Sequence, residues 1–326
     1  AIVKIAGYES ASFVYNANTL SNQDDPQSYT YVIPYGVTVM GGFSDKDGNW
    51  DDDNDGYKRD PITYKTVLSA INNSSSFEQK VNGYHTVTFG EKPSDWNGND
   101  KKSIIDGIYL IDGKATSMAG NGNPNTRGGG AVVPSWAHVR NCVVARCEAI
   151  EGGGLYVLPG GIVSGSLIMD NTAENGAGVY ADNTNAGKDS RAHMVSCTVT
   201  DNTASSIGGG LFLEDGAMMV TNSILWGNTA PSDKNISGVL TEALEDDVWS
   251  SVEHGISAFY PVNHSFVETY EMPSNFENTT MESNEDLYFA SSSRLLKAYS
   301  PLIKHGMDTE YQDAMASPLG ISSVDM

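Results

Sequence analysis

Short apolar runs set the hydrophobic pattern of this chain, and Gly, Asn and Ser separate them. The runs are rich in β-branched residues, and no apolar spacing of 3.6 residues continues long enough for a helix. Four phrases of the same shape repeat this pattern, at residues 142–149, 166–173, 197–204 and 223–230. The pattern therefore predicts many short strands arranged in a repeat.

The repeat has a period of about two dozen residues. The four phrases begin 24, 31 and 26 residues apart, and the longest step contains a polar insertion at residues 182–193. A period in the twenties fits a leucine-rich repeat or a coil of short strands. Since a recurring Leu frame is absent, we predict an all-β fold, a single-stranded right-handed parallel β-helix with an irregular C-terminal cap.

In such a coil, residues one period apart lie one above the other, about 4.8 Å apart. Three apolar columns are predicted to form the core: Leu155, Val179 and Leu211; Val157, Ala181 and Leu213; Val139, Val163, Met194 and Val220. Asn171, Asn202 and Asn228 form a predicted structural ladder, in which side-chain amides bond the backbone of neighbouring turns. Cys147 takes that position one turn earlier.

Glycine triplets accompany the phrases at residues 128–130, 152–154 and 208–210, with Gly-Ala-Gly at 176–178. Glycine tolerates sharp bends and close approach of neighbouring backbone, because it has no Cβ. No Gly-Lys-Ser/Thr follows and no helix begins there, which argues against a phosphate-binding loop. We interpret the triplets as coil geometry.

The phrases "GGGLYV", "GAGVYA" and "GGGLFL", with their Asn-Thr-Ala endings, resemble the repeats of bacterial surface β-helix proteins. These belong to the pectate-lyase-like superfamily and include the polymorphic outer-membrane-protein type. Residues 35–45, "YGVTVMGGFSD", and 59–70, "RDPITYKTVLSA", are similar to the first-turn signature of these proteins, and residues 286–307 resemble their closing turn. The resemblance implies the fold and a bacterial cell-surface or secreted setting.

The chain is expected to form one domain, residues 1–326, because a solenoid grows along its axis. Residues 1–70 are the predicted first turns, with an acidic insertion at 45–60. Regular turns are expected over 71–234, and irregular turns with a closing cap over 235–326. A cap is needed because an open coil exposes strand edges and core.

Composition narrows the possible functions. The chain has 19 basic and 41 acidic residues, and its net charge of −22 repels nucleic acid and anionic membranes. Three cysteines without metal-ligand spacing favour buried thiols over a disulfide framework or a zinc site. The sequence shows no membrane-spanning run and no signal peptide at residues 1–13, so secretion is an expectation from the resemblance and the acidic, Gly- and Asn-rich composition.

A calcium site is one candidate for chemistry. Asp51, Asp53 and Asp55 precede Gly56 in the early spacing of a calcium loop, but Ile62 stands where the loop needs a bidentate acid. A looser calcium site could use six residues of this stretch, namely Asp45, Asp47, Asn49, Asp51, Asp53 and Asp55. The favoured interpretation is a solvated acidic loop.

An aromatic column is the second candidate. If Leu155 and Val157 point inward, strand alternation directs Tyr156 outward, with Tyr180 and Phe212 above it. Rings at steps of about 5 Å would form a ribbon on which a polysaccharide lies. Alternatively, a covering loop such as residues 182–193 leaves these rings a packing role only.

Charged columns are the third candidate. Asp170 and Asp201 share a turn position with Arg146 below them, and Glu151 stands one turn above Arg127. Cross-turn ion pairs explain these columns more simply than catalysis does, so no catalytic residue is predicted. We expect a structural or adhesion-type protein that binds glycans through the aromatic column. The alternative is a carbohydrate-active enzyme, a polysaccharide lyase or glycosidase, on the same fold.

Overall fold

The computed structural model describes residues 1–7, 15–16, 25–44, 59–71, 81–96, 101–117, 124–182, 191–214, 218–238, 262–263, 265–267 and 276–277. Within these residues the chain forms four sheets, and every pairing between their strands is parallel. Two short 3₁₀ turns, Pro26–Ser28 and Pro124–Thr126, interrupt the strands. The predicted parallel β-helix is confirmed.

Sheet I has nine described strands: β1 Ile2–Gly7, β4 Thr38–Ser44, β7 Ser103–Asp106, β11 Ala137–Arg140, β15 Ile162–Ser164, β19 Ala192–Val195, β23 Met218–Thr221, β26 Val262–Asn263 and β28 Phe276–Glu277. Sheet II has eight: β2 Tyr15–Asn16, β5 Thr66–Ser69, β8 Ile108–Ile111, β12 Val143–Ala145, β16 Leu167–Met169, β20 Thr198–Thr200, β24 Ile224–Trp226 and β27 Phe266–Val267.

Sheet III has four described strands: β9 Lys114–Ala115, β13 Glu148–Glu151, β17 Thr172–Asn175 and β21 Thr203–Ile207. Sheet IV has seven: β3 Tyr31–Ile33, β6 Val87–Phe89, β10 Ala131–Val133, β14 Leu155–Val157, β18 Val179–Ala181, β22 Leu211–Leu213 and β25 Ile236–Ser237. A regular turn passes through sheets I, II, III and IV in that order, as β11 to β14 do, and then returns to sheet I.

The core lies inside the coil, where the predicted apolar columns meet. Leu155 pairs with Val179 and Val179 with Leu211, and all three side chains are fully buried. Sheet I contributes the predicted column from Val139 to Val220, and sheet II adds a further buried column: Val144, Ile168, Val199 and Leu225. Stacking of like residues thus buries one continuous apolar core.

Backbone in the left-handed region ends the strands of sheets I and II. Asn141 (φ 52°) follows sheet I and Arg146 (φ 55°) follows sheet II, and the same positions recur in other turns as Gly, Asp, Asn or Ser. Gly, Asn and Asp adopt this conformation most readily. The short strands of the hydrophobic pattern therefore reflect a sharp corner every few residues.

Glycines make the corner between sheets III and IV. Gly176 opens its triplet with a φ of 59°, whereas Gly178 closes it in a crowded position. A Cβ on Gly178 would lie 2.5 Å from the carbonyl oxygen of Gly210, one turn above. The first glycine of a triplet supplies the bend, and the last supplies the close approach of neighbouring turns.

The asparagine ladder runs along the corner between sheets II and III. The Oδ1 atom of Asn202 accepts hydrogen bonds from the backbone N–H and the Nδ2 of Asn171, at 3.0 and 2.9 Å. Asn228 repeats both bonds toward Asn202, and Asn171 accepts from the backbone N–H of Cys147. Above Asn228 the ladder ends on Asn235, whose Oδ1 accepts from the Nδ2 of Asn228 at 2.7 Å. Asn235 lies only seven residues later, so the repeat period does not reveal it.

The cysteines are free and buried at corner positions. The backbone N–H of Cys142 donates to the Oγ of Ser166 one turn above, and that of Cys197 donates to Ser223 in the same way. Burial raises the pKa of each thiol, including Cys147, to about 12. Since the thiolate is the reactive form, these thiols are structural.

The first-turn motif forms a clamp around Arg59. Its Nε donates to the carbonyl oxygen of Gly41 at 2.8 Å, and its Nη2 bonds a carboxylate oxygen of Asp106 at 2.6 Å. The backbone N–H of Asp60 donates to Gly42. The "GGF" and "RDP" stretches are therefore one unit, which Arg59 joins to β7 of the next turn.

Strands β25 to β28 continue the parallel pairing beyond the regular turns, as irregular turns do. The predicted closing turn at residues 286–307 lies outside the described residues, as do most of the insertions at 45–60 and 182–193.

Candidate functional site

The aromatic column forms on the outer face of sheet IV. Tyr156 pairs with Tyr180 and Tyr180 with Phe212. The first two rings stack with centroids 5.1 Å apart and an interplanar angle of 10°, and the next two with 4.9 Å and 25°. Parallel register thus holds three rings face to face.

The column is covered along most of its length, which fits a packing role better than an open ribbon, the two interpretations that the sequence left open. Tyr156 is 2% exposed and Tyr180 8%, while Phe212 is partly exposed. A sugar could reach the Phe212 end but not the ring faces of the two tyrosines. The physical reason is local: the rings cover one another, and the Arg127 guanidinium lies over Tyr156, which strand alternation alone cannot indicate.

Charged groups surround the covered end of the column. The Arg127 guanidinium lies 4.7 Å from the centroid of the Tyr156 ring and pairs with Glu151 at 3.0 Å. The repeat period places Glu151 one turn above Arg127, so this ion pair was expected from the sequence. The two residues also form a parallel backbone bridge. The cation–π contact was not foreseen, because it depends on how the Arg127 side chain folds back.

Asp182 completes this cluster. Its side chain is 2% exposed and accepts a hydrogen bond from the Tyr156 hydroxyl. Burial and then the neighbouring Asp182 raise the pKa of Tyr156, and burial with Glu214 raises that of Tyr180. Both phenols therefore stay protonated at neutral pH, so Tyr156 acts as a hydrogen-bond donor to the carboxylate.

The predicted Arg146 contact takes a different partner. Arg146 pairs with Asp112, one turn below, at 3.0 Å, rather than with Asp170 above it. Arg146, Asp170 and Asp201 do share one corner column with positive φ. The Arg146 side chain thus points toward Asp112 and not toward Asp170. Strand register permits either contact and does not decide between them.

Two histidines share a column of sheet I, separated by Ile162 as the period indicates. His138 lies 2.8 Å from the Oγ of Ser164 and is buried. Burial, with Lys102 and Arg191 nearby, lowers the pKa of His193 to about 4. His193 is therefore neutral at physiological pH.

The calcium candidates Asp45, Asp47, Asn49, Asp51, Asp53 and Asp55 lie outside the described residues, so this site stays a prediction. Among the residues that are described, no group of three or more His, Cys, Asp and Glu side chains is placed to hold a metal ion.

A cluster that the repeat analysis missed lies at the corner between sheets IV and I. We name it the tryptophan corner, and it consists of Lys92, Trp96, Lys102, Ser135 and Trp136. The rings of Trp96 and Trp136 meet edge to face with centroids 6.3 Å apart. The ammonium group of Lys92 lies 4.3 Å from the Trp96 ring and 5.5 Å from the Trp136 ring. The sequence does carry a signal for this cluster. The connection from sheet IV to sheet I at residues 90–102 is long and contains Trp and Lys, whereas the same connection in the next turn is only residues 134–136.

The chain matches no protein-family model, no curated protein and no solved structure. In the part of the chain that the structure describes, no helix is long and apolar enough to cross a membrane. The fold is thus assigned from the geometry of the chain itself.

Proposed function

We propose that this protein is a secreted or cell-surface β-helix of structural or adhesion type that binds carbohydrate without transforming it. The observation that carries the proposal is the asparagine ladder. The polar residues that recur with the period form buried cross-turn bonds, so the repeat specifies a rigid rod and not a reaction centre. The pectate-lyase-like resemblance supports the surface setting.

The charges of the repeated turns support the same proposal. Arg127, Arg140 and Arg146 each pair with a carboxylate, Glu151, Asp106 and Asp112 respectively. A side chain held in an ion pair orders the wall of the coil and is less available to transfer a proton. The stiff rod would present its loops, where binding residues concentrate in repeat proteins.

A second candidate is a carbohydrate-active enzyme, which the Tyr156–Asp182 hydrogen bond beside Arg127 and Glu151 favours. Lyases and glycosidases need convergent carboxylates with a proton donor. The burial of Asp182, which is 2% exposed, argues against an enzyme at this site, because a substrate must reach the reacting groups.

One glycan panel tests both candidates. The purified protein is screened on a glycan array, and reducing ends and unsaturated products are measured on the same polysaccharides. We expect binding without new ends. Release of ends that the Asp182→Asn variant abolishes while it keeps the wild-type melting temperature would establish the enzyme instead.

A further inference from the structure

The tryptophan corner is assembled by a chain excursion that folds back onto a short turn of the coil. A tight turn from Pro93 to Trp96, with a backbone bond of 3.2 Å, sets Trp96 against Trp136. The indole Nε1 of Trp136 donates to the carbonyl oxygen of Gly90 at 2.9 Å, which anchors the excursion. The two rings are therefore held in place by the backbone at both ends.

One lysine lies over these rings, and a second is bonded to the residue before Trp136. Lys92 lies over both indoles, and the Nζ of Lys102 donates to the carbonyl oxygen of Ser135 at 2.6 Å. Lys102 is half-buried, and desolvation lowers its pKa. Because a partly desolvated ammonium group gains more from an anion than a fully hydrated one does, Lys102 is a strong point of attachment for an acidic group.

The indole donor of Trp96 also points to a ligand. Its Nε1 atom is buried and meets no hydrogen-bond acceptor among the residues that the structure describes. A buried N–H without an acceptor costs about 1–3 kcal/mol. A hydroxyl or acidic oxygen of a ligand could supply that acceptor.

Charge sets this corner apart from the rest of the molecule. Its excursion, residues 90–102, carries three lysines, Lys92, Lys101 and Lys102, and three acids, Glu91, Asp95 and Asp100, whereas the whole chain has 19 basic and 41 acidic residues. The excursion is therefore locally neutral on a strongly acidic protein, so it repels an anion less than the average of the chain does.

We infer that the tryptophan corner binds a glycan bearing carboxylate or sulfate groups, with sugar rings against Trp96 and Trp136 and the acidic groups at Lys92 and Lys102. Indole faces accept the C–H face of a sugar, and lysines distinguish acidic from neutral sugars. The inference rests on the proposed carbohydrate-binding function and names its ligand class and its site.

The test measures binding of chondroitin sulfate oligosaccharides by calorimetry and by tryptophan fluorescence, with neutral cellohexaose as the comparison ligand. Trp96→Ala and the double variant Lys92→Gln/Lys102→Gln are each expected to weaken chondroitin sulfate binding by about tenfold or more. Lys65→Gln is the matched control, since Lys65 lies 5.8 Å from the Tyr109 ring in a similar cation–π contact elsewhere. It should bind as the wild type does.

Other outcomes separate the inference from the proposed function. Acidic glycan binding that survives in Trp96→Ala and in the double lysine variant, both with wild-type melting temperatures, would overturn the corner as the site and leave adhesion standing. Binding of cellohexaose with equal affinity would overturn the acidic ligand class. A wild type that binds no glycan on the array would overturn both. The double lysine variant keeps the indole packing, so a loss of folding in Trp96→Ala does not decide the result.

Discussion

Asp106 shows at the residue scale how this coil accommodates a buried charge. The residue is 1% exposed and bonds Arg59, Arg140 and the side chain of Asn141. Burial alone would raise the pKa of Asp106, but the Arg59 bond and charge, with Arg140 and Asn141, lower it. The carboxylate therefore stays ionised, and its bonds join the first-turn clamp to sheet I. The partners come from two distant parts of the chain, residue 59 and residues 140–141, so the repeat pattern does not reveal this site.

His193 gives a prediction on the dependence of stability on pH. Burial and the nearby cations Lys102 and Arg191 lower its pKa from 6.5 to about 4 in the folded state. Between those values the unfolded chain binds more protons, so this group removes stability as pH falls from 6.5 toward 4. The penalty should reach about 3 kcal/mol near pH 4.

The His193→Leu variant isolates this effect, because its neighbours in the column, Ile162 and Met219, are apolar. Urea unfolding at pH 7 and pH 4.5 should show that the wild type loses more stability than the variant does. Met219→Leu serves as the control and should follow the wild type. Parallel pH dependence of wild type and His193→Leu would mean that His193 does not resist protonation.

At the element scale, each corner is stabilised by the turn above it. The backbone N–H of Asn171 donates to the side chain of Asn202, so this corner group is satisfied by the turn above it. Strands of three or four residues are too short to be stable alone, and their stability comes from stacking. The ladder and the triplets were predictable because they recur with the period. Contacts such as that of Arg127 with the Tyr156 ring were not predictable, because register permits several partners and the side-chain rotamer determines which of them is contacted.

Asn202→Ala should therefore destabilise the coil strongly. The Asn202 side chain accepts two bonds from Asn171 and donates to the carbonyl oxygens of Ile168 and Thr200 and to Asn228. The variant leaves buried groups on two neighbouring turns without partners, which should lower the free energy of unfolding by about 3 kcal/mol. Chemical denaturation measures this loss.

Thr203→Ala is the matched control for the ladder. Thr203 is the next residue but points to solvent, where its hydroxyl meets that of Thr229 at 3.0 Å. Its removal should change the free energy of unfolding by no more than about 0.5 kcal/mol. Equal losses in the two variants would show that the buried amide contributes no more than a surface side chain.

At the scale of the whole molecule, the sequence predicts the architecture far better than the site. The period identifies the parallel coil, its core columns and its corners, because every turn obeys the same geometry. The aromatic column was predictable as a stack, but its burial stayed open between two interpretations, since burial of an outer face depends on what packs over it. The tryptophan corner lies in an excursion that occurs once, so no repeat could indicate it.

The net charge of −22 gives the last prediction. Self-repulsion of an acidic molecule opposes the compact state, and salt screens it. Surface ion pairs such as Lys114–Glu148, in which both side chains are more than 40% exposed, contribute little to stability. Screening of these pairs by salt should therefore cost little stability. The melting temperature should therefore rise by several degrees as sodium chloride increases from about 20 to about 500 mM. Near the isoelectric pH the repulsion disappears, so the rise should vanish there. A melting temperature that falls with salt at pH 7 would show instead that attraction between paired charges outweighs the repulsion, and the acidic surface would then be a stabilising network.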